Sequence, residues 1–223
     1  MIPSPASSAL RVAALILAGG ASSRMGRENK LLAELEGQTM VERVAAVALA
    51  SRADPVLVVL GHGYMDVRPR LPDDVGVVEN PAHASGLASS LVAGVRALPE
   101  EVDGCVVMLG DMPFVRPDDV DALIAAFDAD AACVPLVGGR RGNPVLWPRT
   151  FFDDILELKG DHGARRIFES RDAPVVDVPL ENPGLLFDVD TREDLERARS
   201  ATRSIEIEAG RAADGDAAPG APE

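Results

Sequence analysis

The chain has 223 residues, 47% of them hydrophobic and only 4% aromatic, which suits one domain with a sizeable aliphatic core. A formal net charge of −14 excludes sequence-independent binding to nucleic acid or to an anionic membrane surface, since both need a basic face. It also requires any phosphate-binding site to reverse the local field with its own cations.

Residues 1–10 are Ser-, Pro- and Ala-rich and read as a flexible N-terminus; residues 11–200 read as the single domain. Arg11 and the apolar run after it imitate the core of a signal peptide. The run instead leads into a loop bearing Arg and Lys, so it is assigned to the first buried strand. No apolar run is long enough to cross a bilayer. Cys105 and Cys133 both lie in apolar runs and read as reduced core residues, consistent with a cytoplasmic protein.

The first strand, Val12 to Leu17, stops at Gly19-Gly20 and continues as Ala21-Ser22-Ser23-Arg24-Met25-Gly26, with Lys30 beyond. Glycines let the backbone turn its N–H groups toward a ligand, and Arg24 and Lys30 add charge where phosphate oxygens would sit. This is a phosphate cradle, but not a P-loop, because Gly26 is followed by Arg27-Glu28-Asn29 before Lys30. Nor does its glycine spacing fit the dinucleotide fingerprint.

Thr39 and Glu42 form a capping box ahead of apolar Val41, Val44, Ala45, Ala48 and Leu49 at helical spacing. Pro55 to Leu60 predicts a second strand and Val75 to Val78 a third. Asn80 opens a polar stretch whose Ser85-Gly86 precedes a helix carrying Leu87, Leu91, Val95 and Leu98. Ser90 lies in its first turns, where free N–H groups can face an anion. Cys105 to Leu109 is the fourth strand, and Gly110-Asp111-Met112-Pro113 places one acid directly at its end, a position suited to Mg²⁺. Pro117, Asp118 and Asp119 start a helix with Val120, Leu123, Ile124 and Phe127 as its buried stripe, and Ala131 to Leu136 is the fifth strand.

Gly138 to Pro144 reads as a hairpin, an antiparallel excursion over the site. Gly160-Asp161-His162-Gly163-Ala164-Arg165 reads as a turn between helices, and His62, His83 and His162 are too scattered for a zinc site. Near the end, a short strand from Leu186 to Thr191 would send Asp188 and Asp190 to one face, where two carboxylates need a cation or a basic group between them. Asp190 is alternatively the cap of the helix that Thr191 and Asp194 open. Residues 201–223 read as a disordered acidic tail. The β–α alternation predicts an α/β fold, a three-layer α/β/α sandwich with a mostly parallel, Rossmann-like sheet. Its ligand site belongs at the carboxyl ends of the strands.

The Gly-rich start with Arg24, Gly26 and Lys30, the Gly-Asp-Met-Pro around Asp111 and the late Asp188-Val189-Asp190-Thr191 resemble the nucleotide-diphospho-sugar transferase superfamily. Within it they resemble the MobA-like, molybdenum-cofactor branch. The resemblance implies that fold type and a transfer of CMP from CTP to the phosphate of molybdopterin, with release of pyrophosphate. It implies that Leu17, Ala18, Gly19, Gly20, Ser22 and Ser23 border the nucleotide, that Arg24 steadies the leaving pyrophosphate and that Lys30 reaches the α-phosphoryl group. Asn80, Gly86 and Ser90 would lie beside the nucleotide, and Asp111, Asp190 and Asp188 would hold Mg²⁺. Arg141, Asn143 and Arg165 match the cytidylyl branch and imply the acceptor side. A molybdenum hydroxylase or its maturation chaperone is the implied partner. Leu-Ala-Gly-Gly at 17–20 is instead the guanylyl spelling, which leaves GTP open. An NAD(P)H-dependent oxidoreductase of the nicotine-blue type and a cofactor carrier without turnover are the other readings.

Overall fold

The computed structural model describes residues 9–20, 29–160, 167–168 and 173–202. Its strands are β1 (Val12–Ala18), β2 (Glu34–Leu35), β3 (Gln38–Thr39), β4 (Val56–Leu60), β5 (Gly76–Glu79), β6 (Gly104–Leu109), β7 (Ala132–Val137), β8 (Arg140–Arg141), β9 (Val145–Pro148) and β10 (Val175–Pro179). The helices between them are α1 (Met40–Ala50), α2 (Tyr64–Val67), α3 (Leu87–Ala97), α4 (Pro117–Ala125) and α5 (Phe152–Leu156), and a last helix spans 192–202.

The main sheet runs β10-β7-β9-β6-β1-β4-β5, with β8 paired to β7, while β2 and β3 form a separate hairpin. β1 pairs in parallel with β4 and β6, β4 with β5, and β7 with β10; only the pairings made by β8 and β9 in this sheet are antiparallel. Every residue of β1 is buried because the strand is covered on both faces. Alternation then splits it: Val12, Ala14 and Ile16 join one apolar cluster, with Val41, Val44 and Ala48 of α1 and Val120, Leu123 and Ile124 of α4. Ala13, Leu15 and Leu17 join the other, with Leu91 and Val95 of α3, Trp147 of β9 and Ile155 of α5. This is the expected α/β/α sandwich. Helix α3 lies so close to the sheet that a Cβ on Gly94 would run into the side chain of Leu15.

Helix starts follow the capping chemistry. In α1 the Thr39 N–H donates to Glu42 Oε2 at 2.7 Å, and the Thr39 hydroxyl accepts from the Glu42 N–H. In α4 the Arg116 N–H donates to Asp119 Oδ2 at 2.8 Å, behind Pro117 in the first turn.

Two expectations need correction. The Gly138-Gly139 hairpin exists, with both glycines at positive φ, but its continuation is no excursion: β9 enters the sheet between β7 and β6. The Leu186–Thr191 segment is not a strand. Pro183–Leu186 is a 3-10 turn and 187–190 is irregular, because the chain is held by single bonds such as Val189 N–H to Asp111 O (3.0 Å) rather than a ladder. The last helix reaches Thr202, whose buried hydroxyl donates to Ala198 O at 2.8 Å. Strand β10 was not anticipated: it is a half-exposed edge strand carrying Asp177 and Pro179, so no continuous apolar run announces it.

Candidate functional site

The register of β1 against β6 places Leu17 beside Leu109, and the Gly110 N–H donates to Leu17 O at 3.0 Å. One more residue of chain brings Asp111 past the carboxyl end of β6, where it lines a cavity together with Ala18 and Gly19. Lys30 arrives from the other side. It begins a short 3-10 turn in which the Asn29 side chain accepts the Leu31 N–H at 3.1 Å, and buried Leu31 anchors that turn in the core. The late acidic segment is docked by the Val189 bond to Asp111 O.

These three arrivals converge. Lys30 Nζ donates to Asp111 Oδ2 at 2.6 Å and to Asp190 Oδ1 at 2.7 Å, so groups 81 and 160 residues apart in the chain share one ammonium. The carboxylates that share a cation are thus Asp111 and Asp190, not the Asp188 and Asp190 pair expected from a strand, and the chain itself supplies that cation. Asp190 does not cap the last helix. Thr191 does, accepting the Asp194 N–H at 3.1 Å while Asp194 Oδ2 accepts the Thr191 N–H at 2.9 Å. Asp188 is exposed nearby, and its charge still acts on Asp111.

Burial works against both members of the central pair. It pulls the Lys30 ammonium down, but Asp111 and Asp190 together outweigh it and hold Lys30 protonated, above its ordinary range. Burial pushes the Asp111 carboxyl up; Lys30 draws it down only in part, and Asp188 opposes that. A carboxylate in this condition gains from additional positive charge. Asp111 Oδ1 is buried with no hydrogen-bond partner among the described residues, so half of its accepting capacity is unused. Hard carboxylate oxygens converging from Asp111 and Asp190, one of them unsatisfied, fit a divalent cation that takes few protein ligands and completes its shell with water and phosphate.

A cavity of about 640 Å³ opens beside this cluster at the carboxyl ends of β1, β4 and β6. Leu17, Ala18, Gly19, Gly20, Lys30, Gly86, Ser90 and Asp111, all named from the sequence, line it. Its volume is ordinary for a small-molecule site. Lining residues that sequence reasoning missed are Leu31, His62, His83, Ala84, Leu87 and Leu109. The His62 and His83 rings meet edge to face at 6.0 Å. The available signal was Gly61-His62-Gly63 directly after β4, the strand that pairs with β1.

Gly19 is constrained by packing. A Cβ there would stand 2.8 Å from Ser90 Oγ and 3.4 Å from the Gly61 nitrogen. Ser90 Oγ is itself fixed, accepting from Asn80 Nδ2 at 3.1 Å. Asn80 does not line the cavity: its buried amide also donates to Ser89 Oγ at 2.9 Å and accepts the Ala82 N–H at 3.0 Å, tying the 80–85 turn to α3. Its part is to hold Ser90. Arg141 and Asn143 do not line this cavity. The Arg141 guanidinium grips Asp177 with Nε at 2.7 Å and Nη2 at 3.1 Å, and the Asn143 N–H donates to Leu185 O at 3.0 Å. Ser22, Ser23, Arg24 and Arg165 lie outside the described residues. Among the described residues no helix is long and apolar enough to cross a membrane.

The chain is similar to known proteins over most of its length. The chain is 32% identical over 199 residues to the purine catabolism protein PucB of Bacillus subtilis (strain 168), covering 84% of this chain and 95% of that one. It is 26% identical over 194 residues to the molybdenum cofactor cytidylyltransferase of Escherichia coli (strain K12), covering 86% and 97%. Among solved structures, Rv0371c of Mycobacterium tuberculosis H37Rv in complex with manganese superposes with a TM-score of 0.73 at 26% identity, over 86% of this chain and 99% of that one. Residues 14–175 match the MobA-like NTP transferase domain, and the chain belongs to that family of nucleotidyltransferases.

Proposed function

We propose that the chain transfers CMP from CTP to the phosphate of a molybdopterin-type cofactor with Mg²⁺, releasing pyrophosphate. The observation that carries this is that Lys30 bridges Asp111 and Asp190 beside a cavity that Lys30 and Asp111 line together with Gly19 and Gly20.

The acceptor's phosphate is already ionised, so the reaction needs no general base, and catalysis reduces to placement and charge neutralisation. The backbone at Gly19 and Gly20, with Ser22 and Ser23 beyond, would present N–H groups to the β- and γ-phosphates. Lys30 would move its ammonium onto the α-phosphoryl oxygens as they gain charge, and Arg24 would meet charge on the departing pyrophosphate. Asp111 and Asp190, with Asp188 beside them, would hold the divalent ion. When bound, that ion neutralises phosphate charge as a Lewis acid. Manganese in the Rv0371c structure supports a divalent metal in this fold. Arg141, Asn143 and Arg165 are proposed for the acceptor side. Arg141 would have to exchange Asp177 for the pterin phosphate.

Two observations bear on the base. The cytidylyltransferase relative aligns over nearly its whole length, and the Gly19 spelling has a packing cause in Ser90 that is independent of any base. The first favours CTP, and the second removes the Gly19 spelling as an argument for GTP. The identity to PucB bears on destination rather than reaction: it supports a cofactor bound for purine catabolism, through a molybdenum hydroxylase or its maturation chaperone. The test is a panel of CTP, GTP, ATP and UTP with Mg²⁺ and molybdopterin, scored for pyrophosphate. Stoichiometric release from CTP is expected. Preference for GTP would overturn the choice of base, and molybdopterin-independent behaviour with every nucleotide would overturn the acceptor.

A further inference from the structure

Building on the nucleotidyltransfer reading, we infer that Lys30 is a resident cation that blocks the Asp111–Asp190 site to a free divalent metal until a triphosphate draws its ammonium away. The ammonium lies 2.6 Å from one carboxylate and 2.7 Å from the other, in the space that an ion shared by both must occupy. Two positive centres cannot share that space, so metal binding there has to expel Lys30.

The type of cation is informative. The chain contains 22 basic residues, of which only Lys30 and Lys159 are lysine. In a chain that otherwise uses arginine, the residue between these carboxylates is the one with a compact point charge on a flexible stem. A guanidinium would grip a carboxylate through two parallel bonds, as Arg141 grips Asp177, and would be harder to dislodge. Lysine makes a plug that can be pulled.

The plug is also incomplete. Asp111 Oδ1 remains unsatisfied among the described residues, two carboxylates share the one ammonium, and the charge of Asp188 acts on Asp111 besides. The site thus keeps an unmet demand for positive charge with Lys30 in place. A triphosphate entering over Gly19-Gly20 offers the ammonium a competing, more highly charged anion in the same cavity. Departure of Lys30 removes its bonds to both carboxylates at the moment the nucleotide also supplies phosphate oxygens for the metal. Nucleotide and metal therefore bind with positive coupling, and metal alone binds weakly.

The test titrates Mn²⁺ alone, by electron paramagnetic resonance, into the full chain and into Lys30→Met and Lys30→Gln. Either variant is expected to bind Mn²⁺ at least about ten-fold more tightly than wild type. Wild type should recover that affinity only with a CTP analogue whose α,β-bridge cannot be cleaved. Variants no tighter than wild type overturn the inference. Should both variants fail to fold, the wild-type chain decides, since its two lysines give two resolvable side-chain NMR signals. The Lys30 signal should stay in place with Mg²⁺ alone and move with Mg²⁺ plus analogue; movement that saturates with Mg²⁺ alone overturns the inference. Absence of pyrophosphate release from every nucleotide would strike the functional reading only, because the Mn²⁺ comparison uses no nucleotide.

Discussion

Replacing Gly19 by Ala separates packing from base recognition in one experiment. The new Cβ would sit 2.8 Å from Ser90 Oγ and 3.4 Å from the Gly61 backbone nitrogen, which leaves it little room. Ser90 Oγ cannot yield freely either, because Asn80 Nδ2 holds it at 3.1 Å. Forcing a methyl into such a contact costs about 1–3 kcal/mol, and loss of the Asn80–Ser90 bond adds about 0.5–1.5 kcal/mol where it breaks. Ser90→Ala removes the clashing atom while leaving Asn80 bonded to Ser89 and to the Ala82 N–H. The double variant Gly19→Ala/Ser90→Ala is therefore expected to be more stable than Gly19→Ala alone, with a favourable coupling of about 1 kcal/mol or more. Urea unfolding of the four proteins measures this, and the nucleotide panel run on the same samples reads base preference. Additive stabilities would refute the packing explanation. A switch of preferred triphosphate in Gly19→Ala, persisting in the double variant, would restore Gly19 as a reader of the base.

Three further outcomes are expected. Gly94→Ala drives a methyl into Leu15 where α3 meets β1 and should destabilise by about 1–3 kcal/mol, seen as a lower urea midpoint with an unchanged slope. Lys30→Ala and Asp111→Asn should each reduce turnover by about 10²–10³ while the far-ultraviolet spectrum stays native; turnover near wild type in both removes the mechanism. The Asp194 carboxyl, held at about 2 by the Thr191 hydroxyl first and then by Arg197 and the Thr191 and Asp190 N–H groups, titrates below its unfolded value. Its depressed value means the contribution is present above about pH 4 and disappears as pH falls through about 2. The stability gap between wild type and Asp194→Asn should accordingly close across that window, and a gap independent of pH would contradict the assignment.

The central layers were legible because parallel strands buried on both faces demand unbroken apolar runs, and Val12 to Leu17, Val56 to Leu60 and Cys105 to Leu109 supply them. Strand β10 lacked that signature because one side of it meets solvent and it carries Asp177. The insertion of β9 between β7 and β6 could not be read, since Val145-Leu146-Trp147 looks the same whether it pairs beside the hairpin or enters the sheet. At the site, glycines at the ends of strands and single acids after apolar runs identify which residues reach the rim. They do not say which of them touch. That Lys30 would bridge Asp111 and Asp190, and that Asn80 would turn inward to brace Ser90, are consequences of long-range packing with no local pattern. His62 and His83 escaped because a histidine in a loop has no spacing to mark it until β4 is known to lie beside β1.

The most direct test of the account is a crystal structure of the chain with the uncleavable CTP analogue and Mn²⁺, with the ion located by anomalous scattering. The ion should lie between Asp111 and Asp190, at roughly 2.0–2.2 Å from an oxygen of each, by analogy with the bond lengths of small hard cations. Lys30 should be turned onto the phosphates and the triphosphate should rest over Gly19 and Gly20. An ion bound elsewhere, with Lys30 still joined to both carboxylates, would contradict it.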